Sequence, residues 1–129
     1  MKILHINTQL KGGAAKACIR LHEGLLRAGV SSKLLTLDET KTDIPEVYHY
    51  TDFYGNSLIK ATKKMAAKFA RRRRKAKLLS YPTPSDGFFL VNSSFDITAN
   101  PLYQEADIIH LHWVNDFLDY PSFFKNNTK

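Results

Sequence analysis

Four groups of residues in this 129-residue chain have side chains and spacings suited to chemistry. Gly12-Gly13 follows a short, mostly apolar run, Lys2-Ile3-Leu4-His5-Ile6-Asn7, and precedes Ala14, where a helical period begins. Glycines there let a ligand approach closely, and a helix N-terminus offers N–H groups and the positive end of its dipole to an anion. A phosphate or sugar hydroxyl would suit that spot, but a dipeptide this short is more often a plain βα turn. His110 and His112 alternate on one face of a second apolar run, and His5 lies in the first. Three imidazoles can bind zinc, yet no carboxylate or cysteine stands at ligand spacing, so a metal ranks last among the readings and no metal site is expected. His5 and His110 read as buried, neutral, hydrogen-bonded histidines. His112, at the carboxyl end of its run, serves a site or a structural role equally well. Trp113 reads as a core aromatic with one exposed edge, or as a sugar-stacking platform. Asn115 and Asp116 either hydrogen-bond a polyol or cap the next helix.

The fourth group is basic. Between Lys60 and Lys77 there are ten basic residues, Arg71, Arg72, Arg73 and Arg74 among them, and no acidic ones. The formal net charge of the whole chain is only +7, so the remainder is net acidic. Leu58, Thr62, Met65 and Phe69 recur at helical spacing in this stretch, which predicts a helix over 57–79 with an apolar seam and a basic back. Such a helix is a solvated face or lies on an anionic membrane surface. Nucleic acid is not expected, because no aromatics interleave the arginines as a stacking surface requires.

Composition bounds the remaining classes. A single cysteine, Cys18, excludes a disulfide scaffold and a four-cysteine zinc site. No apolar run approaches the roughly 20 residues a membrane-spanning helix needs. The opening Met1-Lys2 leads into too short an apolar run for a signal peptide, which points to the cytoplasm. G-x-G-x-x-G and G-x-x-x-x-G-K-[ST] are both missing, which argues against an NAD-binding Rossmann domain and a P-loop.

The elements that must position these groups follow from the period of the apolar residues. The Lys2–Asn7 run reads as a first strand, buried on both faces. Ala14, Cys18, Leu21, Leu25 and Ala28 then fall on one helical face, and Gly29 stops that helix. Lys33 to Leu37 forms a second strand, completing a βαβ unit with parallel strands. Thr40 to Pro45 is a polar loop, and Val47 to Tyr50 a short third strand. Residues 80–87 read as a loop and Phe88 to Val91 as an edge strand or core plug. Pro101 to Ala106 suits one helical turn with proline at its first position. Asp107 to Trp113 reads as a central buried strand, and Phe117 to Phe124 as a helix after it. In strand order 3-2-1-4 the ligand crevice lies between strands one and four, at their carboxyl ends. The loops Thr8–Ala14 and Trp113–Asp116 would then share one mouth.

Three stretches together resemble the N-terminal end of family 4 glycosyltransferases with the GT-B fold. They are Met1 to Asn7 running into Gly12-Gly13-Ala14, the run Glu105-Ala106-Asp107-Ile108-Ile109-His110-Leu111-His112-Trp113, and Phe117-Leu118-Asp119-Tyr120-Pro121, similar to bacterial members that build surface polysaccharides. The resemblance implies an α/β, partial Rossmann-like half-domain. It implies retaining, metal-independent transfer of a sugar from a nucleotide-sugar donor to a glycan or lipid-linked acceptor, with no cofactor. The N-terminal domain mainly holds the acceptor, and a C-terminal domain with a glutamate pair holds the nucleotide. Gly12, Gly13, Ala14, His112, Trp113 and Asn115 would line the cleft. This chain has no such second domain, so it is expected to be an inactive, truncated portion, peripheral on the inner face of the cell membrane. The rival expectation is a small non-enzymatic α/β module that binds anionic membrane or RNA through the basic helix.

Overall fold

A computed structural model describes residues 1–53, 55, 58, 59, 61, 62, 65, 66, 68, 69, 72, 73, 76 and 92–127. Its centre is an all-parallel sheet of strands β1 (Lys2–Asn7), β2 (Ser31–Thr36), β3 (Val47–His49) and β4 (Ile108–Leu111), in the order β3-β2-β1-β4. Helix α1 (Gly13–Arg27) joins β1 to β2. A 3-10 turn (Tyr50–Phe53) follows β3, the short helix α2 (Pro101–Glu105) precedes β4, and α3 (Tyr120–Asn126) follows it. This is a partial Rossmann-like α/β fold.

Local chemistry explains the ends of these elements. Gly29 takes φ +74 behind α1, a left-handed conformation that glycine adopts without a Cβ clash. Asn100 caps α2 by accepting from the Leu102 N–H at 2.9 Å, with Pro101 at the first helical position. Asp119 caps α3 by accepting from the Ser122 N–H at 3.1 Å. Asn115 and Asp116 therefore do not cap that helix, which starts later than the apolar residues suggest: Phe117 and Leu118 are buried in the loop before it.

The two faces of the sheet differ in kind. Leu4, Ile6 and Leu35 face an apolar core built with Tyr50, Ile97, Leu102, Tyr103, Val114, Phe117, Leu118 and Phe123. Edge-to-face packing of Phe117 with Tyr50 and Phe95 sits at its middle. The alternate residues His5, Asn7, Ser32 and Thr36, all buried, belong to the face that α1 covers, with Leu34 among them. Helix α1 buries Ala15, Cys18 and His22 there. That stripe is rotated from the expected one: Ala14 and Ala28 are exposed, and Leu21 is 40% exposed. The rotation has a cause. The His22 ring nitrogens meet Ser32 Oγ at 2.7 Å and the Pro45 carbonyl at 2.9 Å, so a polar residue fills the helix–sheet interface with both nitrogens satisfied.

Strand β4 is not central and buried as expected. Among the described residues its one strand neighbour is β1, and Ile108 and His110 are exposed although their register partners Ile3 and His5 lie buried under α1 on the same face. The described residues of the basic segment, from Leu58 to Ala76, are helical where 57–79 was expected to be. Arg71, Arg74, the 80–87 loop and the Phe88–Val91 strand lie outside the described residues.

Phe117 has no exposed surface and makes two edge-to-face aromatic contacts, with Tyr50 and with Phe95. Phe117→Ala is expected to lower the unfolding free energy by about 3–5 kcal/mol. Urea denaturation with an unchanged slope would report that loss; a change below about 1 kcal/mol would place the ring outside the core.

Candidate functional site at the carboxyl ends of β1 and β4

Asn7 and Thr8, at the end of β1, hold the two loops of the mouth together. The Asn7 side chain is buried, and its Oδ1 accepts from the Trp113 N–H at 2.9 Å. The Thr8 N–H donates to the Trp113 carbonyl at 2.7 Å, and the Thr8 hydroxyl donates to the Asn115 carbonyl at 2.7 Å. Thr36, at the end of β2, donates its hydroxyl to the Thr8 carbonyl at 3.2 Å. Three strand ends thus meet at one residue. The diglycine loop and the Trp113–Asn115 loop lie on the same rim, as the topology predicts.

Asp38 fixes the other side of the loop, accepting from the Leu10 N–H at 3.1 Å and from the backbone and hydroxyl of Thr40. Burial pushes its carboxyl up, but these hydrogen bonds and the charge of Lys11 outweigh that and hold it below the usual carboxylate range. The loop then enters α1 through Gly12, at φ +95. No side chain caps the first turn of α1 and no acidic residue lies in it. A Cβ at Gly13 would meet nothing within 4 Å, so the approach to the helix end is open. Ala14 is exposed beside it.

Across the rim, Trp113 is 41% exposed, more open than a core aromatic with one free edge. Asn115 is half-buried, and Asp116 takes φ +59. His112 is half-buried, and its Nε2 lies 3.0 Å from His5 Nδ1, so one ring donates an N–H to the other. His110 stacks on His112 with ring centroids 4.2 Å apart. His110 is exposed, contrary to expectation, because β4 forms the sheet edge among the described residues. His5 is fully buried as expected, but its Nε2 has no hydrogen-bond partner among the described residues. Burial, and then the charge of His112, His110 and His22, lowers the His5 pKa to about 4. Burial and His110 lower that of His112 as well.

The structure therefore puts the loop that carries Gly12, Gly13 and Ala14 on the same rim of the sheet as His112, Trp113 and Asn115. Arg72 and Arg73 are exposed on the basic helix, part of a separate segment. Asn7, Thr8, Asp38 and His22 escaped the sequence reading. The only signals were a polar residue closing an apolar strand and a histidine at helical spacing from Cys18. Electrostatically, the rim joins an uncapped helix N-terminus to an exposed indole and neutral imidazoles, which suits an uncharged polyol or an anion.

No protein-family model, curated protein or solved structure matches this chain. What fold and site define is a Rossmann-like α/β domain with its rim at the β1/β4 switch point.

The low His5 pKa has a consequence for stability. Between pH 6.5 and 4 the unfolded chain takes up a proton that the folded one refuses, so the stabilisation is complete above 6.5 and is lost as pH falls through this window. The loss should be roughly 3 kcal/mol at its limit, with His112 adding in the same direction. Urea midpoints measured from pH 7.5 to 4.5 should fall less steeply for His5→Leu than for the wild type. Parallel slopes would remove His5 as the source.

Proposed function

We propose that the chain is the acceptor-side, N-terminal part of a glycosyltransferase. It would act with a nucleotide-sugar donor on a glycan or lipid-linked acceptor. The single observation that carries this reading is the joined rim: Thr8 ties the diglycine loop to the Trp113–Asn115 loop at the ends of two adjacent parallel strands. Sheets of this kind bind ligands at such a switch point. The resemblance of the Gly12-Gly13-Ala14 and Ala106 to Trp113 stretches to family 4 glycosyltransferases supplies the reaction class, by analogy. In this reading Trp113 stacks on an acceptor sugar, and His112 and Asn115 hydrogen-bond its hydroxyls. Gly12 and Gly13 leave room for a sugar or phosphate beside the first turn of α1. Transfer would rest on oriented substrates and on stabilisation of the leaving phosphate.

A second reading has its own support. Leu58, Met65 and Phe69 of the basic helix are all more than half exposed, alongside Lys68, Arg72 and Arg73. An uncovered apolar seam beside basic residues fits the plane of an anionic membrane, as an accessory to sugar transfer onto a lipid-linked acceptor or as the function of a non-enzymatic module.

Nuclear magnetic resonance on this chain tests the first reading. Titration with polyprenyl-linked or free oligosaccharide should shift the amides of Gly12, Gly13, Ala14 and Trp113 to Asn115. Gly13→Val should abolish those shifts with the thermal midpoint nearly unchanged, because the new side chain enters open space. Shifts elsewhere, or retained binding in the variant, would take the rim out of the site. For the second reading, co-sedimentation with phosphatidylserine vesicles should be strong for the wild type and lost when Arg71 to Arg74 are all changed to Glu. Unchanged sedimentation would end the membrane assignment for this helix.

A further inference from the structure

We propose that His5, His110 and His112 form a binding site for a zinc-like divalent transition metal. The site uses three imidazoles and leaves one coordination position open.

The sheet itself creates the arrangement. His5 and His110 are register partners on the adjacent strands β1 and β4, and His112 lies two residues beyond His110 on the same face. The three rings form a close group, with the His5 centroid 5.3 Å from that of His110 and 5.2 Å from that of His112, and the latter two 4.2 Å apart. One ligand nitrogen from each lies within 4.8 Å of the other two. Zinc–nitrogen bonds of about 2.0–2.1 Å in a tetrahedron need nitrogens roughly 3.3 Å apart. The 3.0 Å approach of His5 and His112 already shows that two rings can come that close. His110, the remaining ligand, is exposed and free to turn on its χ angles.

The nitrogens of His5 and His112 that approach each other, Nδ1 and Nε2, now share one hydrogen, and a dication held between the rings would displace that proton and take both lone pairs. The donor set selects the metal class, since three nitrogens and no carboxylate suit zinc, copper or nickel and do not suit magnesium or calcium. His22 borders His5 at a centroid distance of 5.9 Å, but its nitrogens are committed to Ser32 and Pro45, so it supports the site without joining it. His49 is engaged with the Asp38 carbonyl away from the group. The proposal rests on this geometry alone and needs neither a sugar donor nor an acceptor.

Calorimetric titration of chelator-stripped protein with zinc at neutral pH tests it. The expected result is one equivalent bound with micromolar or tighter Kd, a raised thermal midpoint, and no uptake of magnesium. Cobalt bound in place of zinc should give the intense visible absorption of four-coordinate nitrogen ligation. His110→Ala, an exposed position that the fold tolerates, should weaken zinc binding at least a hundredfold, and His112→Ala likewise, whereas His49→Ala should leave it unchanged. No saturable binding below millimolar zinc, or equal binding by the wild type, His110→Ala and His112→Ala, would overturn the proposal.

Discussion

The fastening of β4 to β1 at their carboxyl ends is the interaction on which the site depends. The 4-1 adjacency brings together chain segments more than a hundred residues apart, and backbone pairing alone would leave their following loops free to diverge. Asn7 and Thr8 prevent that. Between them they accept or donate three hydrogen bonds to the backbone of Trp113 and Asn115, and Thr36 adds a fourth from β2. Each contributes about 1 kcal/mol net, but their burial raises the stakes, because an unmade bond there would cost the full desolvation of its donor or acceptor. The diglycine loop is held from its far side by Asp38, so it is pinned at both ends while its glycines remain open.

The unequal faces of the sheet follow from what covers them. On one side two short helices and a long loop supply enough apolar surface for a dense aromatic core, and burial of side chains at ~25 cal/mol per Å2 dominates there. On the other side a single helix crosses β1 and β2, and its interface tolerates His5, Asn7, His22, Ser32 and Thr36 because nearly all of their polar atoms are paired. The exception is His5, whose Nε2 has no hydrogen-bond partner among the described residues. Helix α1 packs on β1 and β2, so His110 of β4 reaches solvent while its neighbour His5 on β1 does not.

The basic segment obeys a different physics. Its described residues gain little from the core, since Leu58, Ile59, Met65 and Phe69 are all substantially exposed. Apolar side chains kept in water beside a dense positive charge favour a partner that is anionic and apolar at once. A lipid interface has both properties, with each basic residue near it worth about 1 kcal/mol.

Much of this fold is legible in the sequence because it is encoded locally. The change from a short apolar run to a 3.6-residue period at Ala14, the stop at Gly29 and the start of α2 at Pro101 each depend on a few neighbouring residues, and the βαβ unit with its parallel strands follows from them. The strand order and the shared rim are legible too, since the rules of α/β topology leave few alternatives. What only the tertiary structure decided involves partners distant in the chain. The buried face of α1 turns toward His22 because Ser32 and Pro45 satisfy that ring, a fact no helical period contains. The exposure of His110 depends on β4 lying at an edge beyond the reach of α1. The roles of Asn7 and Thr8 depend on Trp113 and Asn115 arriving from the other end of the chain. Polar residues declare their function only when their partners are in place, and apolar periodicity declares its own in advance; that difference separates what could be read here from what had to be seen.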